Sequence, residues 1–261
     1  MMTARRTIDL YSLSAKPIEV RFRDQMLGSA TAFTWSTEIA VYLITNWHVV
    51  SGINPISGQH LSSTGAEPDH LVVQMDLVDP IGSRGPFELQ LYGADGRPAW
   101  LEHPHRKGID VVAIKLPAMP GAYPHPVNFM PTSPMAIGAG SEAFIIGYPF
   151  GNRTGPFPIW KRASIASEPE IPVEGLPYFF VDSASRTGMS GSPVIARTWG
   201  LFQEKDGTQT GAPGAHSRFI GVYSSRISDD ETKAQVGRVW HGKVIEEIIA
   251  GERRGSFPWE C

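Results

Sequence analysis

Three stretches of the chain carry the residue types from which nucleophilic catalysis is built. In Thr45-Asn46-Trp47-His48-Val49-Val50 an apolar run delivers a histidine to a turn. In Gly108-Ile109-Asp110-Val111-Val112-Ala113-Ile114 an aspartate opens a nearly unbroken apolar run. In Gly188-Met189-Ser190-Gly191-Ser192-Pro193 a serine sits between two glycines, and Val194-Ile195 follow. A serine hydroxyl is a poor nucleophile and needs a base within hydrogen-bond reach, a task that suits imidazole. The imidazole needs a fixed tautomer and a compensating negative charge, which a buried aspartate supplies. A tetrahedral intermediate needs donors for its oxyanion. The turn Gly188, Met189, Ser190 offers them as backbone N–H groups, with Gly188 free to adopt the unusual angles that aim its N–H inward. Each stretch also has a plain structural reading. His48 could be a strand-end histidine bonded to a carbonyl, Asp110 a residue bonding its own backbone, and 188–192 a Gly/Ser-rich loop.

The elements that must position these residues read as strands. Short runs dense in β-branched and aromatic residues recur at 18–23, 30–35, 39–45, 71–77, 87–92 and 111–116, separated by turn residues. The pattern resumes at 143–147, 159–165, 178–182, 193–196 and 219–224. Between the two sets, seven prolines and glycines crowd positions 117–131 (Pro117, Pro120, Gly121, Pro124, Pro126, Pro131) and beyond (Pro134), followed by Gly138 and Gly140, a texture that suits neither strand nor helix. Residues 199–216 are polar and glycine-rich and read as a long loop. Val236, Val239, Val244, Ile245, Ile248 and Ile249 fall close to one helical stripe, with Gly251 as its end. The expected organisation is an N-terminal arm (1–16), a strand-rich half carrying His48 and Asp110 (17–122), a linker (123–140), a second half carrying Ser190 (141–235) and a terminal helix (236–251). Such halves suit two β-barrels or sandwiches.

Composition narrows the function classes. The 261 residues have a formal net charge of -3, which gives no reason to expect nucleic acid or an anionic membrane as partner. The single cysteine, Cys261, allows no internal disulfide, which fits a reducing compartment. No long apolar run follows Arg5-Arg6, so neither a secretory signal nor a membrane span is expected, and the location read from this is cytoplasmic. No cofactor and no metal are expected. His103 and His105 lack further ligands at fixed spacing, and Gly138-Ala139-Gly140 lacks the remainder of a phosphate loop.

Taken together, the order His48, Asp110, Ser190 and the residues around them resemble the trypsin-like (chymotrypsin-fold) serine peptidases. Within them the chain looks most like the disulfide-free bacterial HtrA-like branch, here without a PDZ domain. The three stretches above resemble that branch's histidine, aspartate and nucleophile motifs. Gly147-Tyr148-Pro149-Phe150-Gly151 resembles a strand and turn early in the second barrel. Phe219-Ile220-Gly221-Val222-Tyr223-Ser224-Ser225 resembles the later strand whose backbone pairs with substrate. The resemblance covers roughly 17–250. It implies an all-β fold of two six-stranded antiparallel β-barrels with a C-terminal α-helix, a His48–Asp110–Ser190 triad, and a protein or peptide substrate cut through an acyl-enzyme.

Departures from the family pattern qualify what is carried over. Met189 stands where secreted relatives have the aspartate that receives a newly cut N-terminus, so no such activation switch is expected. In this fold Ala184 would floor the primary pocket, with Ser185 and Arg186 beside it and Tyr223, Ser224 and Ser225 along the wall. Without an acidic floor, a small or medium apolar side chain is the expected preference. An α/β-hydrolase is rejected because it needs the order Ser, Asp, His and alternating helices. The alternative is a latent or non-catalytic peptide-binding relative that needs a signal or a regulatory protein partner.

Overall fold

A computed structural model describes residues 8–79, 83–105, 108–151, 155–184, 187–226 and 236–256. The N-terminal half runs α1 (Leu10–Ser14), β1 (Ala15–Phe22), β2 (Gln25–Ser36), β3 (Val41–Thr45), α2 (Trp47–Ser51), β4 (His70–Leu77), β5 (Arg84–Gln90), β6 (Trp100–Leu101), β7 (Val112–Lys115) and β8 (Ala122–Tyr123). A 3-10 turn at Val127–Phe129 follows. The C-terminal half supplies β9 (Glu142–Gly147), β10 (Ile159–Ile165), β11 (Tyr178–Asp182), β12 (Pro193–Gln203), β13 (Gln209–Arg226), β14 (Val236–His241) and α3 (Lys243–Gly251).

The fold is mostly β, with two antiparallel sheets and a C-terminal helix, as the sequence pattern implies. The first sheet has eight strands in the order β5-β4-β1-β2-β3-β7-β6, with β8 on β4. The expected six are its longer strands, β1–β5 and β7; β6 and β8 are two-residue additions. The second sheet is a closed six-stranded barrel, β10-β11-β14-β13-β12-β9.

Strand alternation explains why the run after Asp110 is apolar at every position. Val112 and Ile114 point into the N-terminal core with Ile18, Leu43, Leu71 and Trp100. Val111 and Ala113 point the other way, into a second cluster with Phe33, Ile44, Ile146, Tyr148, Ile195 and Trp240. That second cluster draws on both halves and is capped by Val244, Ile245 and Ile248 of α3. The C-terminal barrel has its own interior, including Ile145, Phe179, Val194 and Val239.

Three sequence expectations are corrected. The terminal helix begins at Lys243 and not at 236, because 236–241 forms β14 between β11 and β13 and closes the barrel. Val236 and Val239 fit the helical stripe by spacing alone, but Val239 belongs to the barrel interior while α3 packs on the cluster between the halves. Residues 199–216 are a paired hairpin of β12 and β13, with Gln203 opposite Gln209. Beyond Ala196 no residue of β12 is fully buried, and the apolar Trp199 and Leu201 are 68% and 72% exposed. No buried face imposes an alternation there, so the stretch reads as a loop. The arm is also shorter than 1–16: α1 buries Tyr11 and Leu13, and β1 starts at Ala15.

Candidate active site

Asp110 and His48 are brought together where β3 and β7 end side by side. Thr45, the last residue of β3, pairs with Val112, the first of β7. The chain then turns at Asn46 into α2, which carries His48. Asn46 fixes this corner by donating from Nδ2 to the Asp110 carbonyl at 2.6 Å. The Asp110 side chain is 1% exposed and, among the described residues, meets three donors. Oδ1 accepts the His48 N–H at 2.9 Å. Oδ2 meets His48 Nδ1 at 2.7 Å and also accepts from Ser224 Oγ. A carboxylate only accepts, so this network places a proton on Nδ1, and in the neutral ring the lone pair falls to Nε2. The buried charge is thereby satisfied, and the imidazole is held in one orientation.

Ser190 lies in the tight turn that leads into β12. Gly188 has φ +97°, and a Cβ there would lie 2.5 Å from the Tyr148 carbonyl, so no other residue fits. Gly191 has φ +80°. The turn is tied to β13 by Gly191 N–H to Tyr223 O and by Tyr223 N–H to Ser192 O, both 2.9 Å. It is tied to the N-terminal half by Thr31 N–H to Ser190 O, also 2.9 Å. Among the described residues, no acceptor takes up the N–H of Gly188 or of Ser190. The Met189 side chain is buried among the apolar residues of the C-terminal barrel.

The Ser190 hydroxyl donates to the Ser224 carbonyl at 3.2 Å and makes no hydrogen bond to His48. Ser224 therefore links the candidates, with its carbonyl on Ser190 and its hydroxyl on Asp110. Its side chain faces the aspartate, not a substrate wall. Tyr223 is corrected as a substrate-contacting side chain: its ring is 2% exposed, inside the C-terminal barrel and against Gly237. Ala184 is exposed, while Ser185 and Arg186 lie outside the described residues, as does the Ser225 side chain. Asn46 and the hydroxyl of Ser224 were missed as site residues. Asn46 stands in the histidine stretch, so its position carried a signal; the Ser224 hydroxyl carried none.

His103, weighed above as a metal ligand, instead joins Nε2 to Glu247 Oε2 of α3 at 2.9 Å. Among the described residues no cluster of three or more His, Cys, Asp or Glu could hold a metal ion.

The family follows from comparison with known proteins. The trypsin-like peptidase domain matches residues 30–202, which contain His48, Asp110 and Ser190. The chain belongs to the trypsin-like peptidase family. Two solved peptidases resemble this family member in fold. The Rv3671c protease of M. tuberculosis in its active form is 18% identical with a TM-score of 0.52, over 94% of this chain and 83% of that one. The serine endoprotease of Yersinia pestis is 14% identical with a TM-score of 0.50, over 93% of this chain and 65% of that one. No curated protein sequence matches significantly.

Proposed function

We propose that the protein is a serine endopeptidase that works through His48, Asp110 and Ser190. The observation that carries this reading is the buried Asp110–His48 bond, which holds a proton on Nδ1 and leaves Nε2 as the nitrogen that would take one from a nucleophile. Ser190 turns about Cα–Cβ from the Ser224 carbonyl to Nε2, gives up its proton there, and attacks the scissile carbonyl. The N–H groups of Gly188 and Ser190 receive the oxyanion. His48 then protonates the leaving amine, and water, deprotonated by the same nitrogen, clears the acyl-enzyme. Asp110 stays ionised and stabilises the imidazolium while it lasts.

One observation favours a second reading, a latent resting state: the Ser190 hydroxyl is bonded to a carbonyl and not to its base. Both readings are separated by a fluorophosphonate probe applied to wild type, Ser190→Ala and His48→Ala. Labelling of wild type alone is expected, with peptidase kcat falling on the order of 10⁶-fold in either variant. Folded wild type that stays unlabelled favours the latent form. Label that survives Ser190→Ala removes Ser190 as the nucleophile.

A further inference from the structure

We infer that Thr31 of β2 is a positioning residue for the oxyanion-binding turn, acting across the boundary between the two halves. The inference rests on the peptidase reading above. Thr31 is fully buried, and each of its polar groups is used. Its N–H donates to Ser190 O at 2.9 Å. Its carbonyl accepts from Thr45 Oγ1 at 3.0 Å. Its hydroxyl accepts the Tyr148 N–H at 3.0 Å and lies 2.8 Å from Gly188 O. The Tyr148 group is an N–H, so the direction of the second bond is settled: Thr31 donates its own proton to Gly188 O.

The register of β2 makes this possible. β2 pairs with β3 only from Phe33 to Ser36, and the chain leaves β3 at Thr45 to form the histidine corner. The edge of β2 at Thr31 is thus open on that side. Opposite Thr31 in β1 stands Pro17, in a pair that exchanges no ladder bonds, because the Thr31 N–H and C=O both turn to the open edge. The neighbours Ala30 and Ala32 point into the N-terminal core, which turns the Thr31 side chain to the face that meets the C-terminal half.

One side chain and its own backbone N–H therefore hold the carbonyls of both residues whose N–H groups would bind the oxyanion, Gly188 and Ser190. Oxyanion stabilisation depends on donors already aimed before charge develops. Losing the hydroxyl releases Gly188 O and the Tyr148 N–H but leaves Ser190 O held, so the donor pair loses its mutual aim while the hydrogen bonds of the histidine corner stay in place.

The test compares wild type, Thr31→Val and Thr31→Ser, with rates normalised to active sites titrated by fluorophosphonate. For Thr31→Val, kcat per titrated site on a cleaved peptide is expected to fall about tenfold or more, with KM within about twofold. Inhibition by a peptide aldehyde, which forms a tetrahedral adduct, is expected to weaken in proportion to kcat. Thr31→Ser is expected to recover to within about threefold. If Thr31→Val does not fold, Thr31→Cys replaces it with the same expected split. A merely structural role would lower the number of titratable sites and the melting temperature without moving kcat per site or aldehyde affinity. That outcome, or equal loss in the serine variant, overturns the inference while leaving the peptidase reading intact. Wild type that neither cleaves nor labels overturns both.

Discussion

The hydroxyl of Ser190 donates to the main-chain oxygen of Ser224 at 3.2 Å. A peptide lying alongside the end of β13 would offer an N–H to that same oxygen. Competition for that oxygen weakens the resting bond of Ser190 and favours His48 Nε2 as its acceptor. Extended peptides should then raise kcat and not only lower KM, because the binding of remote residues is used to set up the nucleophile. The check compares a single-residue amide with a tetrapeptide amide of the same terminal residue. A kcat gain of about tenfold is expected; a gain confined to KM would show that the Ser190–Ser224 bond has no part in the reaction.

Asp110 and Ser224 should differ sharply in their effects. In Asp110→Asn, an amide NH₂ facing the imidazole forces the proton from Nδ1 to Nε2, and the base is lost. A fall in kcat on the order of 10⁴-fold is expected. Ser224→Ala removes one of three donors to the carboxylate, while the His48 N–H and Nδ1 remain. About a tenfold fall is expected there, since one hydrogen bond to a charged group contributes about 1.5–3 kcal/mol. Steady-state kinetics on one substrate decides it, and equal losses would mean that Ser224 does more than support Asp110.

Gly191→Ala should cost more than its backbone angle explains. A Cβ there would overlap the Thr31 carbonyl and the Thr45 hydroxyl, both on the N-terminal half. Gly207, at the tip of the exposed hairpin, has a similar φ of +89°, and a Cβ there would make only an ordinary contact, 3.8 Å from Gln203 Nε2. Gly207→Ala should therefore cost about 1–2 kcal/mol for the left-handed conformation alone. Gly191→Ala should lose about 3 kcal/mol or more, or about 6–12 °C in melting temperature for a chain of this size. Matching losses in the two variants would show that the seam between the halves yields easily.

The histidine, aspartate and serine stretches were legible because each is local: a strand end, a turn and the residue types that the chemistry demands. Ser224 was not legible in the same way. Both faces of β13 are buried near it, with Val222 in the cluster between the halves and Tyr223 inside the barrel, so alternation does not say which face meets the cleft. The ladder with β14 then shifts register between Tyr223 and Arg226, and this sets where Ser224 points. Thr31 was hidden for another reason. Its partners, Gly188 and Ser190, lie some hundred and sixty residues away, and only the meeting of the two halves joins them.

A buried charge cluster beside the site gives stability an unusual alkaline profile. Lys16 is wholly buried and donates to Asp76 and, at 2.6 Å, to Leu13 O. Asp76 also accepts from Arg84 Nε at 2.8 Å, and Arg84 reaches the Tyr148 hydroxyl. Burial pushes Lys16 from 10.5 down to about 8, against the attraction of Asp76. Between those values the unfolded chain binds more protons than the folded one, so the contribution of Lys16 rises with pH across the window. The full rise is on the order of 3 kcal/mol. Burial also raises Tyr11 and Tyr148 from 10.0 to about 12, which works in the opposite sense above pH 10 and leaves pH 8–10 as the clean interval. Lys16→Met keeps Asp76 paired with Arg84 and should abolish the rise. Asp76→Asn strands two buried cations and should cost about 3–5 kcal/mol at neutral pH. Denaturant unfolding at pH 7, 8, 9 and 10 tests both variants against wild type. A wild-type stability that falls steadily over pH 8–10, in parallel with Lys16→Met, would mean that Lys16 holds its proton throughout, and that attraction to Asp76 outweighs the burial of its charge.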